Sequence, residues 1–154
     1  MLLRKVLTST RVSQLDLTHV PVLPSSATVA VAAAEMRRVS HGSALVCDNN
    51  RLVGIFTERD LLAMVGAGRT LNTPLSEVMT RDPHSVTLDD SMLKVVDLMD
   101  RGGCRRLPVV DKTGRPSGIV DVKGVVRFLV EYFPTGVFNQ APEAKQTAKD
   151  LEGA

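Results

Sequence analysis

Leu107-Pro108-Val109-Val110-Asp111-Lys112-Thr113-Gly114-Arg115-Pro116-Ser117-Gly118-Ile119-Val120 contains two short apolar runs on either side of an Asp-Lys-Thr-Gly turn signal. That pattern predicts a β-hairpin. It occurs a second time. Ala44-Leu45-Val46-Cys47 and Leu52-Val53-Gly54-Ile55-Phe56 flank Asp48-Asn49-Asn50. Placing Val46-Cys47-Asp48 over Val109-Val110-Asp111 gives an offset of 63 (111 − 48). The same offset pairs Met36 with Met99 and Ser13-Gln14-Leu15 with Ser76-Glu77-Val78. Past the turn, Gly54-Ile55 meets Gly118-Ile119 at an offset of 64, so one residue has been inserted in the second turn, where an insertion costs little. The ordered matches indicate an internal duplication.

Helices complete each copy. Ser85-Val86-Thr87 predicts a short strand, and Met92, Val95, Val96 and Met99 recur at helical spacing before Gly102-Gly103. Val122, Val125, Val126, Leu129 and Phe133 line one face of a closing helix that stops at Pro134. The first copy predicts an Ala-rich helix over 28–39 and a closing helix over 58–65. The order is β-α-β-β-α twice. The expected fold class is α+β, with repeats at 10–69 and 70–133 packed sheet to sheet about a pseudo-two-fold axis. A unit of about sixty residues buries only about 60% of its unfolded surface, so each copy needs the other. Residues 134–154 form a polar C-terminal tail, expected to be largely disordered.

Composition narrows the function classes. The chain has 154 residues, of which 44% are hydrophobic but only 3% aromatic, and a net charge of +2. Interspersed charge and scarce rings exclude a broad electrostatic footprint or stacking platform for nucleic acid. Cys47 and Cys104 have no CxxC spacing, so neither a zinc site nor a disulfide framework is expected. No apolar run reaches membrane-spanning length, and the N-terminus lacks a signal-peptide pattern, so the expected location is cytoplasmic. His19, His41 and His84 are scattered, and no nucleophile motif, zinc-binding helix or P-loop is present. The chain is expected not to be an enzyme.

Gly54-Ile55-Phe56-Thr57-Glu58-Arg59-Asp60 carries the most chemistry. A strand ending near Phe56 and a helix starting near Thr57 leave unpaired N–H groups that favour an anion such as phosphate. An ionised Asp60 can accept two hydrogen bonds from the vicinal hydroxyls of a sugar. The same Thr-x-x-Asp is also a capping box, which needs no ligand.

Two copies of β-α-β-β-α, with Leu107-Pro108-Val109-Val110-Asp111, Gly54-Ile55-Phe56-Thr57-Glu58-Arg59-Asp60 and Gly118-Ile119-Val120, resemble a tandem pair of CBS domains, also called a Bateman module. The resemblance covers about residues 10–133. It implies a standalone regulatory module that binds AMP, ADP or ATP, with S-adenosylmethionine as a further option, between the repeats. It also implies a homodimer and an unidentified regulated protein, with neither nucleic acid nor membrane as partner. By position, Asp60 would hold the ribose and Thr57 the ribose or phosphate. Arg105, Arg106 and Lys123 would meet the phosphates, and Arg59, next to Asp60 in sequence, is a further ligand-binding candidate. Val86 and Met36 are the candidate walls for adenine.

The second copy departs from this pattern. Asp121 replaces Thr57, Gly124 replaces Asp60, and Gly42-Ser43 stand opposite Arg105-Arg106. One nucleotide site per chain is therefore expected, with Asp121 acting as a helix cap. The alternative is a structural dimerisation module that binds no nucleotide.

Overall fold

Two antiparallel hairpins form the centre of the fold in the computed structural model, which describes residues 2–133. The tail expected to be disordered lies outside the described residues. The elements run α1 (Leu2–Ser9), a 3-10 turn (Val12–Gln14), β1 (Val22–Leu23), α2 (Val29–Val39), β2 (Ser43–Asp48), β3 (Arg51–Thr57) and α3 (Glu58–Gly66). They continue with α4 (Leu75–Val78), β4 (Thr80–Arg81), α5 (Met92–Gly102), β5 (Arg106–Val110), β6 (Pro116–Asp121) and α6 (Val122–Tyr132).

Local signals account for these bounds. Thr28 Oγ1 accepts from Val31 N at 3.3 Å at the start of α2, and Ser91 Oγ accepts from Lys94 N at 3.2 Å at the start of α5. Such caps satisfy N–H groups that the helix itself leaves unpaired. The two helices end at equivalent left-handed residues, Ser40 (φ 53°) and Gly103 (φ 62°). The β2–β3 turn uses Asn49 (φ 52°) and Asn50 (φ 61°), both in the left-handed region that a tight hairpin requires. In the longer β5–β6 turn, Asp111 Oδ1 accepts from Thr113 N at 2.8 Å and from Arg115 N at 3.0 Å. The inserted residue is therefore absorbed where the one-residue change in offset places it.

Strand alternation builds three layers of contact. On β2, Ala44 and Val46 face the helices and pack with Val29, Ala32, Met36, Phe56 and Met64. Leu45 points the other way and meets Ile55 of β3 and Ile119 of β6. On β5, Leu107 and Val109 pack with Met92, Val95, Val120 and Val125. Each hairpin thus turns one face to its own helices and the other to the opposite hairpin. This is the sheet-to-sheet arrangement expected from the duplication.

The repeats also exchange their leading segments. Val12 and Leu15, which precede the first hairpin, are buried in the second repeat's core. Their counterpart Leu75 (12 + 63) is buried in the first repeat's core. β4, at the start of the second repeat, pairs antiparallel with β3, placing Thr80 opposite Ile55 and Arg81 opposite Gly54. Reciprocally, Thr18 bridges Ile119 of β6. These crossings need glycine. A Cβ on Gly54 would lie 3.0 Å from Thr80 O. One on Gly118, whose φ is +143°, would lie 3.0 Å from Thr18 O.

The structure differs from the sequence reading in several places, among them α4 (Leu75–Val78) and β4 (Thr80–Arg81), which it did not include. Helix α1, which the reading did not include, packs against α5, with Val6 buried and Leu7 partly buried against the second repeat's core. The strand expected at Ser85–Thr87 shrinks to Val86 alone, bridged in parallel to Val109. Its counterpart β1 forms two parallel pairs with β2, Val22–Leu45 and Leu23–Val46.

Candidate functional site

β3 delivers the chain to Thr57 in an extended conformation (φ −124°, ψ 169°), and α3 begins at the next residue. Asp60 lies one helical turn later and folds back. Its Oδ2 accepts from Thr57 N at 2.9 Å and from Thr57 Oγ1 at 3.2 Å. Asp60 N donates to Thr57 Oγ1 at 3.4 Å, closing the capping box. The carboxylate also reaches another element. Thr80 Oγ1 on β4 donates to Asp60 Oδ1 at 3.2 Å. Each carboxylate oxygen offers about two lone-pair directions, so Oδ1 keeps acceptor capacity toward a further hydroxyl.

The equivalent turn in the second repeat has the same backbone course and different chemistry. Asp121 (φ −96°, ψ 146°) caps α6, its Oδ1 accepting from Lys123 N at 2.9 Å. Gly124 stands where Asp60 does, with Asp16 O 3.7 Å from where a Cβ would sit. By its strand partner the position matching Thr80 is Thr18, which faces Ile119 as Thr80 faces Ile55. The second turn therefore keeps a crossing threonine but lacks the carboxylate that Thr80 meets at the first.

A polar cluster links the two turns. Ser43 pairs with Thr57 across β2–β3, and Arg106 pairs with Asp121 across β5–β6. His41 Nδ1 is 3.0 Å from Ser43 Oγ, and its Nε2 is 3.7 Å from Asp121 Oδ2 in the other repeat. Arg106 Nε approaches the same Oδ2 at 3.4 Å but is buried without a well-formed hydrogen bond. The Glu58 side chain lies over Gly42, where a Cβ would overlap Glu58 Oε1. Burial, and next the Arg106 cation, lower the pKa of His41 from its ordinary value. Asp121 and Glu58 oppose that shift.

The candidate residues have separate surroundings. Thr57 and Asp60 are brought together. Arg106 is held by Asp121 of its own hairpin. Arg59, Arg105 and Lys123 are exposed and form no ion pair among the described residues. Val86 and Met36 cannot wall one cleft, because they are buried in different repeat cores. This corrects the adenine-wall expectation: apolar residues on strand and helix faces were drawn into packing. Burial raises the thiol pKa of both Cys47 and Cys104 above the ordinary value, which disfavours a thiolate nucleophile. The described residues contain no group of three or more His, Cys, Asp or Glu side chains placed to hold a metal ion. Sequence reasoning missed Thr80, whose only signal was its proximity to the start of the second repeat. It also missed the contact of His41 across the repeats.

The sequence pattern of the CBS domain family matches residues 12–66 and 75–131. The chain belongs to the CBS domain family. The two matched segments are the two repeats that meet at the hairpin faces. Among curated relatives, an "Uncharacterized 17.7 kDa protein in bps2 3'region" of Acidianus ambivalens is 36% identical over 140 residues, covering 90% of this chain and 85% of that protein. The arabinose 5-phosphate isomerase KdsD of Francisella tularensis is 30% identical over 111 residues. That match takes in 71% of this chain but only 34% of the isomerase, so the CBS pair spans about a third of that relative. Among solved structures, CBSX2 in complex with AMP superposes with a TM-score of 0.72 at 26% identity, covering 80% of this chain and 98% of that chain. The CBS protein PAE2072 of Pyrobaculum aerophilum, complexed with AMP, shares the fold with a TM-score of 0.70 at 24% identity, covering 84% and 96%. No helix among the described residues is long and apolar enough to cross a membrane.

Proposed function

We propose that this CBS pair is a regulatory module that binds one adenosine-containing nucleotide per chain, AMP, ADP or ATP, at the Thr57–Asp60 turn. The observation that carries the reading is the Asp60 carboxylate, fixed by Thr57 and met at Oδ1 by Thr80 from the other repeat's leading strand. A ribose diol uses the acceptor capacity that the carboxylate keeps beside the Thr80 hydroxyl. The start of α3 supplies N–H groups and a favourable dipole for phosphate. Arg105, Arg106 and Lys123 provide the cations, guanidinium forks suiting phosphate oxygens better than a point charge does, and Arg59 flanks the turn. The AMP carried by CBSX2 supports an adenosine ligand over other anions. S-adenosylmethionine is the competing ligand, distinguished by its lack of phosphate. Signalling requires unequal affinity for two conformations, read by a regulated protein partner.

The same proposal includes a homodimer. Leu62 on α3 and Val126 on α6 are related by the 64-residue offset, and both are exposed, at 73% and 54%. Two matching apolar patches about a pseudo-two-fold suit a second copy of the chain. Calorimetry with adenosine, AMP, ADP, ATP and S-adenosylmethionine tests the ligand, and light scattering of wild type and Leu62→Glu/Val126→Glu tests assembly. Saturable binding of one phosphorylated adenosine ligand per chain is expected. A dimer that responds to none of the five compounds would leave the purely structural reading in its place.

A further inference from the structure

The cluster between the repeats has a feature that nucleotide binding alone does not require. One oxygen, Asp121 Oδ2, is approached by two nitrogen groups from different repeats, Arg106 Nε at 3.4 Å and His41 Nε2 at 3.7 Å. Neither contact is close. The buried Arg106 Nε has no well-formed hydrogen bond, so the guanidinium is held mainly by charge. The other Asp121 oxygen is committed to capping α6. Around His41 stand Ser43 on β2, Glu58 on α3, Arg106 on β5 and Asp121 on β6, which together carry one cation and two carboxylates while the imidazole is neutral. Ser43, which contacts His41, is the cross-strand neighbour of Thr57. Any anionic group seated at the Thr57 turn therefore lies next to this cluster.

We propose that Asp121 exchanges cations when an anion occupies the cleft: a phosphate group draws Arg106 away, and His41 takes up one proton from solvent to become the new partner of Asp121. The proposal rests on the nucleotide reading for its anion but concerns a different event, the coupling of ligand charge to a proton and to a contact across the repeats. Its physical basis is that a carboxylate in a partly desolvated site is costly to leave without a cation. Removing Arg106 takes away a positive neighbour of His41 and leaves Asp121 and Glu58 facing it. Both changes favour the imidazolium. Phosphate binding then tightens the His41–Asp121 bridge between the repeats, so a mononucleotide and its uncharged nucleoside produce different states of the same cleft. His41 acts here as a positioning residue, since it works through Asp121.

Two measurements on the full chain test the exchange. In the first, proton NMR follows the His41 ring in ligand-free wild type, Arg106→Gln and Lys123→Gln, with exposed His19 and His84 as internal references. Arg106→Gln is expected to raise the His41 midpoint by about one pH unit. Lys123→Gln is expected to leave it in place, and an unchanged midpoint in Arg106→Gln overturns the exchange. In the second, calorimetry with AMP and with adenosine is run near pH 6.5 in buffers of differing ionisation enthalpy. Wild type should take up more protons per AMP than His41→Gln, and adenosine should show no such difference. AMP binding with equal uptake in both proteins overturns the exchange while the nucleotide reading stands. No AMP binding at all removes the nucleotide reading, and the exchange, which needs its anion, falls with it.

Discussion

The turns at Thr57–Asp60 and Asp121–Gly124 have nearly the same backbone and different equipment. Both follow the second strand of a hairpin, start a helix through an oxygen cap, and are crossed by the other repeat's leading segment. What the fold requires has been kept in both copies: glycine at the crossing, apolar residues facing two ways, and a cap at the helix start. The pair Asp60–Thr80, by contrast, is matched by Gly124 and Thr18, so the second copy lacks the carboxylate. The difference teaches which residues serve the scaffold and which serve a ligand. A side chain needed only for capping can be replaced by another cap, as Asp121 shows. Asp60 does more than cap, because its second oxygen faces a different element.

The largest expected effect follows from that distinction. Asp60→Ala removes two charge-assisted hydrogen bonds to a ribose diol, each about 1.5–3 kcal/mol, so affinity for AMP should fall at least about 100-fold by calorimetry. Stability should change far less, by about 1 kcal/mol or less from the lost box at the helix start. Unchanged affinity would move the ligand away from this turn.

The two crossing glycines sharpen the same contrast at the level of backbone. Gly118→Ala places a Cβ at φ +143° and 3.0 Å from Thr18 O, so it should cost about 1–3 kcal/mol in urea unfolding. Gly54 has no such φ, and its nearest obstacle is the flexible end of Met79. Gly54→Ala should therefore cost less stability. Its Cβ still presses on Thr80 O, displacing β4, so its effect should show as weaker AMP binding. Equal stability losses in the two variants would mean that crossing geometry, and not φ, sets the cost.

How far the chain could be read in advance follows from the range of each signal. The hairpins were legible because alternation such as Ala44-Leu45-Val46 is local and its two faces are both apolar. Helices α2, α5 and α6 were legible from composition and spacing, and α6 also from its cap at Asp121. The exchange of Val12, Leu15 and Leu75 was not, because periodicity marks a buried face without saying which core receives it. Thr57 and Asp60 lie within one motif and could be named. Thr80 is twenty residues away and joins them only through β4. His41 gave no signal as a lone histidine, since its partner Asp121 comes from the other repeat.

Smaller effects divide the two clefts further. Thr80→Val keeps the shape of β4 and removes one hydroxyl, which should weaken AMP binding about fivefold, or about 1 kcal/mol. If Thr80→Val binds as wild type does, the hydroxyl only braces Asp60. On the other side, Gly124→Ala meets nothing nearer than Asp16 O at 3.7 Å. It should raise stability by about 0.5–1 kcal/mol through helix propensity while leaving AMP affinity unchanged. A loss of AMP binding in Gly124→Ala would show that the second cleft takes part after all.

The smallest effect separates the repeats by pH. His41 of the first repeat is matched by Cys104 of the second (41 + 63), so a proton-linked term near neutrality belongs to one copy. The pKa of His41 is lowered in the folded chain, chiefly by burial and then by Arg106. The unfolded chain therefore binds more protons than the folded one as pH falls. The stability associated with neutral His41 is fully present above the unfolded value of about 6.5. It is lost as pH falls through that value and levels off below the folded one. Asp48 and Asp111 are shifted down by hydrogen bonds to Ser25 and to Thr113, so their contribution is lost only below about pH 4. Urea midpoints at pH 7.5 and 5.5 thus fall in a window where His41 dominates the comparison. Wild type should be less stable at the lower pH, and His41→Gln should flatten the difference. An equal slope in both proteins would place the titrating group elsewhere and leave the two repeats electrostatically alike near neutral pH.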